Sequence, residues 1–162
     1  MIRFAFAVIV ALAPLPAFAL SCLPHGVSDA YLAAAQSEAG YVPVIGTLTF
    51  DKTLLPKVDW EAQQDVPQET LLPAQFSGEA LSVRGIRTPL NADVVLQVQC
   101  AGPWCPSAAS GPMLGFLRNT TQSYVLSTHA CGGFLFTNPT TEQIQELTDC
   151  MAGRTCTRWQ DR

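Results

Sequence analysis

The chain has 162 residues, 48% of them hydrophobic, with 9 basic and 13 acidic side chains and a formal net charge of −4. That length fits one domain, and the composition is globular, neither disordered nor membrane-embedded. An acidic surface repels phosphate backbones and anionic lipid, which argues against nucleic acid as a partner.

The first residues differ from the rest. Arg3 gives a short basic start, residues 4–15 are almost wholly apolar, and Pro14 and Pro16 break the run. Ala17-Phe18-Ala19 then supplies a small-x-small cleavage signature. Basic start, apolar stretch and cleavage site in that order predict a signal peptide over 1–19. The prolines stop the run short of the ~20 apolar residues a transmembrane helix needs. No later run reaches spanning length, so no transmembrane segment is expected. Cleavage after Ala19 leaves Leu20-Ser21-Cys22 at the new start. A lipoprotein signal also ends just before a cysteine, but Ala19 stands where such signals prefer Leu. Both routes lead to a periplasm or beyond.

Next, Ser28 is expected to cap a helix running to Ala39, with Gly40 as its C-terminal glycine. Val42, Val44, Gly46, Leu48 and Phe50 share one parity, which predicts a strand over 41–50. Pro43 confines the start of that strand to an edge, because proline lacks a ladder donor. Residues 51–73 carry Pro56, Pro67 and Pro73 and no sustained period, and are read as a long surface excursion. Phe76, Gly78 and Ala80 alternate in a second strand. Val94, Leu96, Val98 and Cys100 form one face of a third. Residues 113–117, 124–127 and 134–136 are short strand candidates between turn signals. The last element is a helix, with Thr140 and Gln143 placed for a capping box, Ile144, Leu147 and Met151 on one face, and Gly153 at its end. Short strands closed by a helix predict a mainly β chain: a small closed barrel with helical cover.

Export changes the meaning of the six cysteines, Cys22, Cys100, Cys105, Cys131, Cys150 and Cys156. Outside the cytosol they are expected as disulfides. Cys100 and Cys105, like Cys150 and Cys156, are close enough to pair locally. That leaves Cys22–Cys131 to tie the N-terminus to a late strand.

Seven motifs in order carry a resemblance. Ser21-Cys22-Leu23-Pro24-His25 precedes a short helix, followed by Val44-Ile45-Gly46-Thr47-Leu48, Phe76-Ser77-Gly78 and Gly102-Pro103-Trp104-Cys105. Gly115-Phe116-Leu117, Cys131-Gly132-Gly133 and the run from Cys150 through Met151, Gly153 and Arg154 to Cys156 complete it. This order resembles the netrin-like domain, the OB-fold module of the tissue inhibitors of metalloproteinases. It is also similar to small exported bacterial proteins with a tryptophan-cysteine loop. The resemblance implies one OB-fold-like domain over 20–162, with a short N-terminal helix, a C-terminal helix and disulfide staples. It also brings in a rival pairing closer to the inhibitor pattern, Cys22–Cys105 with Cys100–Cys131. Inhibitors of that family begin with Cys-x-Cys, and the amine of the first cysteine chelates zinc. Cys22 stands alone and follows Leu20-Ser21, so inhibition by that route is not expected.

Other constellations are weaker. Cys100 and Cys105 enclose four residues, where a thioredoxin-type redox box needs two so that a helix N-terminus can stabilise the thiolate. His25 near Cys22 and His129 near Cys131 suggest zinc only if the thiolates stay reduced. Ser107, Ser110, Ser123 and Ser127 lack a Gly-x-Ser-x-Gly elbow. Asp51, Asp59 and Glu61 lie in the polar excursion, where carboxylates are solvated. Asn119-Thr120-Thr121 matches a glycosylation acceptor.

The reading is therefore an exported, non-enzymatic binding or structural module for an extracytoplasmic protein, with no cofactor and no metal. Trp104, in a Pro/Gly loop between cysteines, is the expected contact. The alternatives are a protease-inhibitor-like protein, an enzyme of undetected type, or a redox protein using Cys100 and Cys105.

Overall fold

The computed structural model describes residues 20–161. The segment 1–19, read as a signal peptide, lies outside them. Helix α1 spans Val27–Gln36 and is capped by Gly26, not by Ser28. Asp29, in the third helical position, reaches back to accept the Gly26 N–H at 2.9 Å. Ser28 instead sits inside the first turn, buried. The helix also ends earlier than Ala39. The Ser37 hydroxyl accepts the Ala39 N–H at 3.1 Å, a local bond that competes with the helical ladder.

Strands β1 (Tyr41–Phe50), β2 (Glu69–Leu81), β3 (Arg87–Gln99), β4 (Gly111–Asn119) and β5 (Tyr124–His129) build the barrel. β1 pairs antiparallel with β2 and β4, β2 with β3, and β3 runs parallel to β5. Arg118↔Val125 and Asn119↔Tyr124 join β4 to β5 and close the ring. The order β1-β2-β3-β5-β4 is that of the OB fold. Short strands β6 (Gly132–Gly133) and β7 (Leu135–Thr137) lead into helix α2 (Thr141–Met151). Among the described residues no helix is long and apolar enough to cross a membrane.

β2 begins at Glu69, so the last five residues assigned to the excursion, 69–73, are strand. Pro73 does not break it, because pairing with β1 starts only at Ala74. Pro43 and Pro112 follow the same rule. Each stands one residue before pairing begins on one side, at Val44 with β2 and at Met113 with β7. A missing donor costs no ladder bond where no partner strand runs.

Inward residues of one parity fill the barrel, among them Leu48, Phe76, Leu96 and Leu126. α1 and α2 cover the outside of β4 in a second core of Val27, Ala30, Leu114, Phe116, Leu147 and Met151. β4 is thus buried on both faces, which explains its unbroken apolar run Met113-Leu114-Gly115-Phe116-Leu117. α2 carries its capping box: Gln143 N–H donates to Thr140 Oγ1 at 3.3 Å, and Thr140 N–H to Gln143 Oε1 at 2.9 Å. Gly153 follows at φ 69, a left-handed turn.

Three disulfides staple the domain: Cys22–Cys131, Cys100–Cys105 and Cys150–Cys156. The first joins residues 109 apart in sequence and fixes the N-terminal segment beside β6. The inhibitor-type pairing is not the one formed.

Candidate functional site

The loop after β3 is built tightly around Trp104. The Cys100–Cys105 disulfide closes it, and Ala101 and Trp104 exchange backbone bonds at 2.8 and 3.2 Å. Gly102 takes φ 59, which lets the chain reverse within four residues. Gln68, just before β2, pins the loop from outside. Its carbonyl accepts Cys100 N–H at 2.9 Å and its side chain accepts Gly102 N–H at 3.2 Å.

Across from this loop lies Trp60, from the excursion that links β1 to β2. Asp59 turns the chain there by accepting Glu61 N–H at 2.9 Å, and Gln63 Nε2 donates to the Trp60 carbonyl at 3.0 Å. Val66, in the same segment, is buried. The two indoles meet edge to face, with ring centroids 5.6 Å apart and planes at 72°. Trp60 stays 59% exposed and Trp104 44%. Together they form an aromatic ledge open to solvent, its Trp104 side held by a disulfide and by backbone bonds. The Pro/Gly loop predicts an exposed Trp104, and the ring is exposed. No sequence signal marks Trp60, which lies in a stretch without periodicity and reaches Trp104 only through the fold.

A second surface crosses the outside of β1–β3. Thr47, Ser77 and Asn91 form one cross-strand row, and Thr49, Gln75 and Asp93 the next. A groove of about 470 Å³ runs between Asp51, after β1, and Ser123, before β5. No lysine or arginine lines it. Two hydrogen bonds from Thr53 hold the Asp51 carboxyl below the usual carboxylate range.

The other sequence-derived candidates do not converge. His25 Nε2 lies 2.9 Å from the Gly133 carbonyl, and its ring stacks on Phe136. The His129 ring centroid is 6.3 Å away, and burial, then the His25 charge, lowers its pKa. Cys22 and Cys131, beside them, are joined to each other. Among the described residues no three His, Cys, Asp or Glu side chains are grouped to hold a metal. Asp51 and Asp59 each cap their own turn. The Ser110 hydroxyl is bonded to the Phe50 backbone, and that of Ser127 to Gln97. The buried Ser28 hydroxyl donates to Glu146, joining α1 to α2. Asn119 is exposed at the end of β4.

Fold and site together define a disulfide-stapled barrel of OB type with an exposed aromatic ledge. No family model, no curated protein and no solved structure matches this chain.

Proposed function

We propose that this chain is an exported binding module of the netrin-like type, which holds an extracytoplasmic protein on the Trp60–Trp104 ledge. The observation that carries the reading is the exposure of these two packed rings, one of them on a disulfide-closed loop. Large aromatic side chains are enriched among the residues that dominate protein interfaces. A Trp104 loop already closed by a disulfide and pinned by Gln68 loses little further freedom on binding, so more of its contact energy survives as affinity. Three disulfides support export, since such bonds persist in oxidising compartments. The barrel order supports the netrin-like assignment, while the disulfide pairing departs from the inhibitor pattern. Capture of a catalytic zinc by an N-terminal cysteine is not part of the proposal.

The test places a photo-crosslinking amino acid at position 104 in the exporting cell, with the same substitution at Thr47 as a control. Crosslinking at 104 and not at 47 should yield one protein, whose purified form binds the module. Trp60→Ala and Trp104→Ala should each weaken that binding at least about tenfold, which corresponds to ~1.4 kcal/mol. Unchanged affinity in both variants would overturn the reading.

A further inference from the structure

The opposite face of α2 from its acidic side carries a different kind of surface. The β2–β3 hairpin turns through 82–86, with Gly85 at φ 74 and Ser82 bonded to Gly85 and Ile86. This turn pushes Val83 and Ile86 into solvent, 67% and 56% exposed. Between the hairpin and the end of α2 lies a cleft of about 390 Å³, whose walls include Val83, Ile86 and Met151. Arg84, Arg87 and Arg154 line it, and no carboxylate does. Three of the chain's nine basic residues thus meet at one cleft of an acidic protein. The depression on the other side of α2 is lined by Glu142, Glu146, Asp149 and Asp161.

Two of these arginines already hold a carboxylate, and the third does not. Arg87 is steadied by Glu79 at 3.2 Å and Arg154 by Asp149, with Nε at 2.9 Å. Each guanidinium has five N–H donors, so donors remain after those contacts. Arg84, at the exposed hairpin tip, makes no ion pair or hydrogen bond among the described residues. Beside this cleft, a second open depression of about 310 Å³ shares Leu81, Ser82, Val83 and Met151 with it. Tyr31, Tyr41, Pro43 and Phe116 line it, and no charged side chain does. Met151, unbranched and adaptable, stands where the two meet.

We propose that this cleft binds a long-chain carboxylate, with the carboxyl group at Arg84 and Arg87 and the acyl chain laid past Met151 into the uncharged depression. Charge complementarity fixes the head, and the change from arginine-lined to apolar walls fixes the tail. Clefts of several hundred Å³ with apolar walls and a few convergent polar groups are the usual form of small-molecule sites. The site lies apart from the tryptophan ledge and stands independently of it.

The experiment titrates dansyl-undecanoate into the exported, disulfide-bonded protein and reads the fluorescence gain. Saturable binding is expected, displaced by palmitate but not by methyl palmitate. Arg84→Ala should weaken it at least about tenfold, and Arg84→Glu more strongly. Ala34→Phe, which fills part of the uncharged depression, should lose long-chain binding while retaining the wild-type circular dichroism. Three results would each overturn the proposal. One is equal competition by the ester, and another is unchanged affinity in Arg84→Glu. The third is sedimentation with phosphatidylglycerol vesicles without binding of monomeric carboxylate, which would make the hairpin a membrane contact instead.

Discussion

Gly46 stands directly opposite Gly78 in the β1–β2 register, and the Phe76 ring lies against both. A Cβ on Gly46 would come 2.7 Å from Gly78 Cα and 2.8 Å from Phe76 Cζ. One on Gly78 would come 2.5 Å from Gly46 Cα. The conflict is with backbone, so no side-chain rotation relieves it. Gly46→Ala and Gly78→Ala should each destabilise the protein by about 1–3 kcal/mol or more through overpacking. Gly40→Ala, with nothing within 4 Å of the added carbon, is the control. Urea unfolding of the oxidised proteins measures all three, and equal midpoints for Gly46→Ala and Gly40→Ala would refute the packing argument.

The disulfides should differ in what they contribute. In the chain-entropy account, a cross-link stabilises by restricting the unfolded chain, more so for a longer loop. Replacing Cys22 and Cys131 by Ser together releases a loop of sequence separation 109 and should cost ~4–5 kcal/mol. The same change at Cys150 and Cys156, separated by 6, should cost about 2 kcal/mol. Denaturant midpoints of the two double variants rank them, and the reverse order would contradict the loop-length account.

What the sequence revealed followed the range of the interactions involved. The period of two in 41–50 and 94–100, and the Thr140–Gln143 box, are local signals and mark real elements, although β3 spans Arg87–Gln99 and so starts before its alternation is visible. Serine generally favours the N-cap, which is why the sequence points to Ser28, yet the cap is Gly26. Here Asp29 caps Gly26, and Ser28 turns to Glu146, 118 residues away. Residues 69–73 read as loop because Pro73 masks a strand whose proline stands where β1 has not yet begun to pair. The parallel β3–β5 pairing, the meeting of Trp60 with Trp104 and the arginine-lined cleft are products of closure. No local pattern encodes them.

Acid should weaken the fold, starting near neutrality. Burial, and then the His25 charge, hold the His129 pKa below its ordinary value of 6.5. The unfolded chain therefore binds more protons than the folded one between the lowered value and 6.5. Stability is complete above 6.5 and declines as pH falls through that window. Asp149, lowered first by its hydrogen bond to Arg154, contributes in the same direction at lower pH, below its ordinary 3.8. His129→Gln should flatten the decline just below 6.5 and leave the carboxylate region unchanged. Urea midpoints at a series of pH values test this, and an identical slope in wild type and variant would rule out His129 as the cause.

The two tryptophans should be coupled in the free protein, and the coupling should depend on the disulfide beneath one of them. An edge-to-face aromatic pair contributes about 0.5–1.5 kcal/mol beyond the area it buries. With Trp60 59% exposed and Trp104 44%, the lower half of that range is expected. Trp60→Ala, Trp104→Ala and the double variant form the cycle, and the difference from additivity is the coupling. Repeating the cycle with Cys100 and Cys105 changed to Ser removes the bond that closes the Trp104 loop. If the ledge is held in place by that bond, the coupling should vanish in the second background while the rest of the barrel stays folded. Coupling of the same size with and without the disulfide would mean that Gln68 and the backbone pairing at Ala101 suffice to hold the ledge. Additivity in both backgrounds would show that the rings share a surface without stabilising each other.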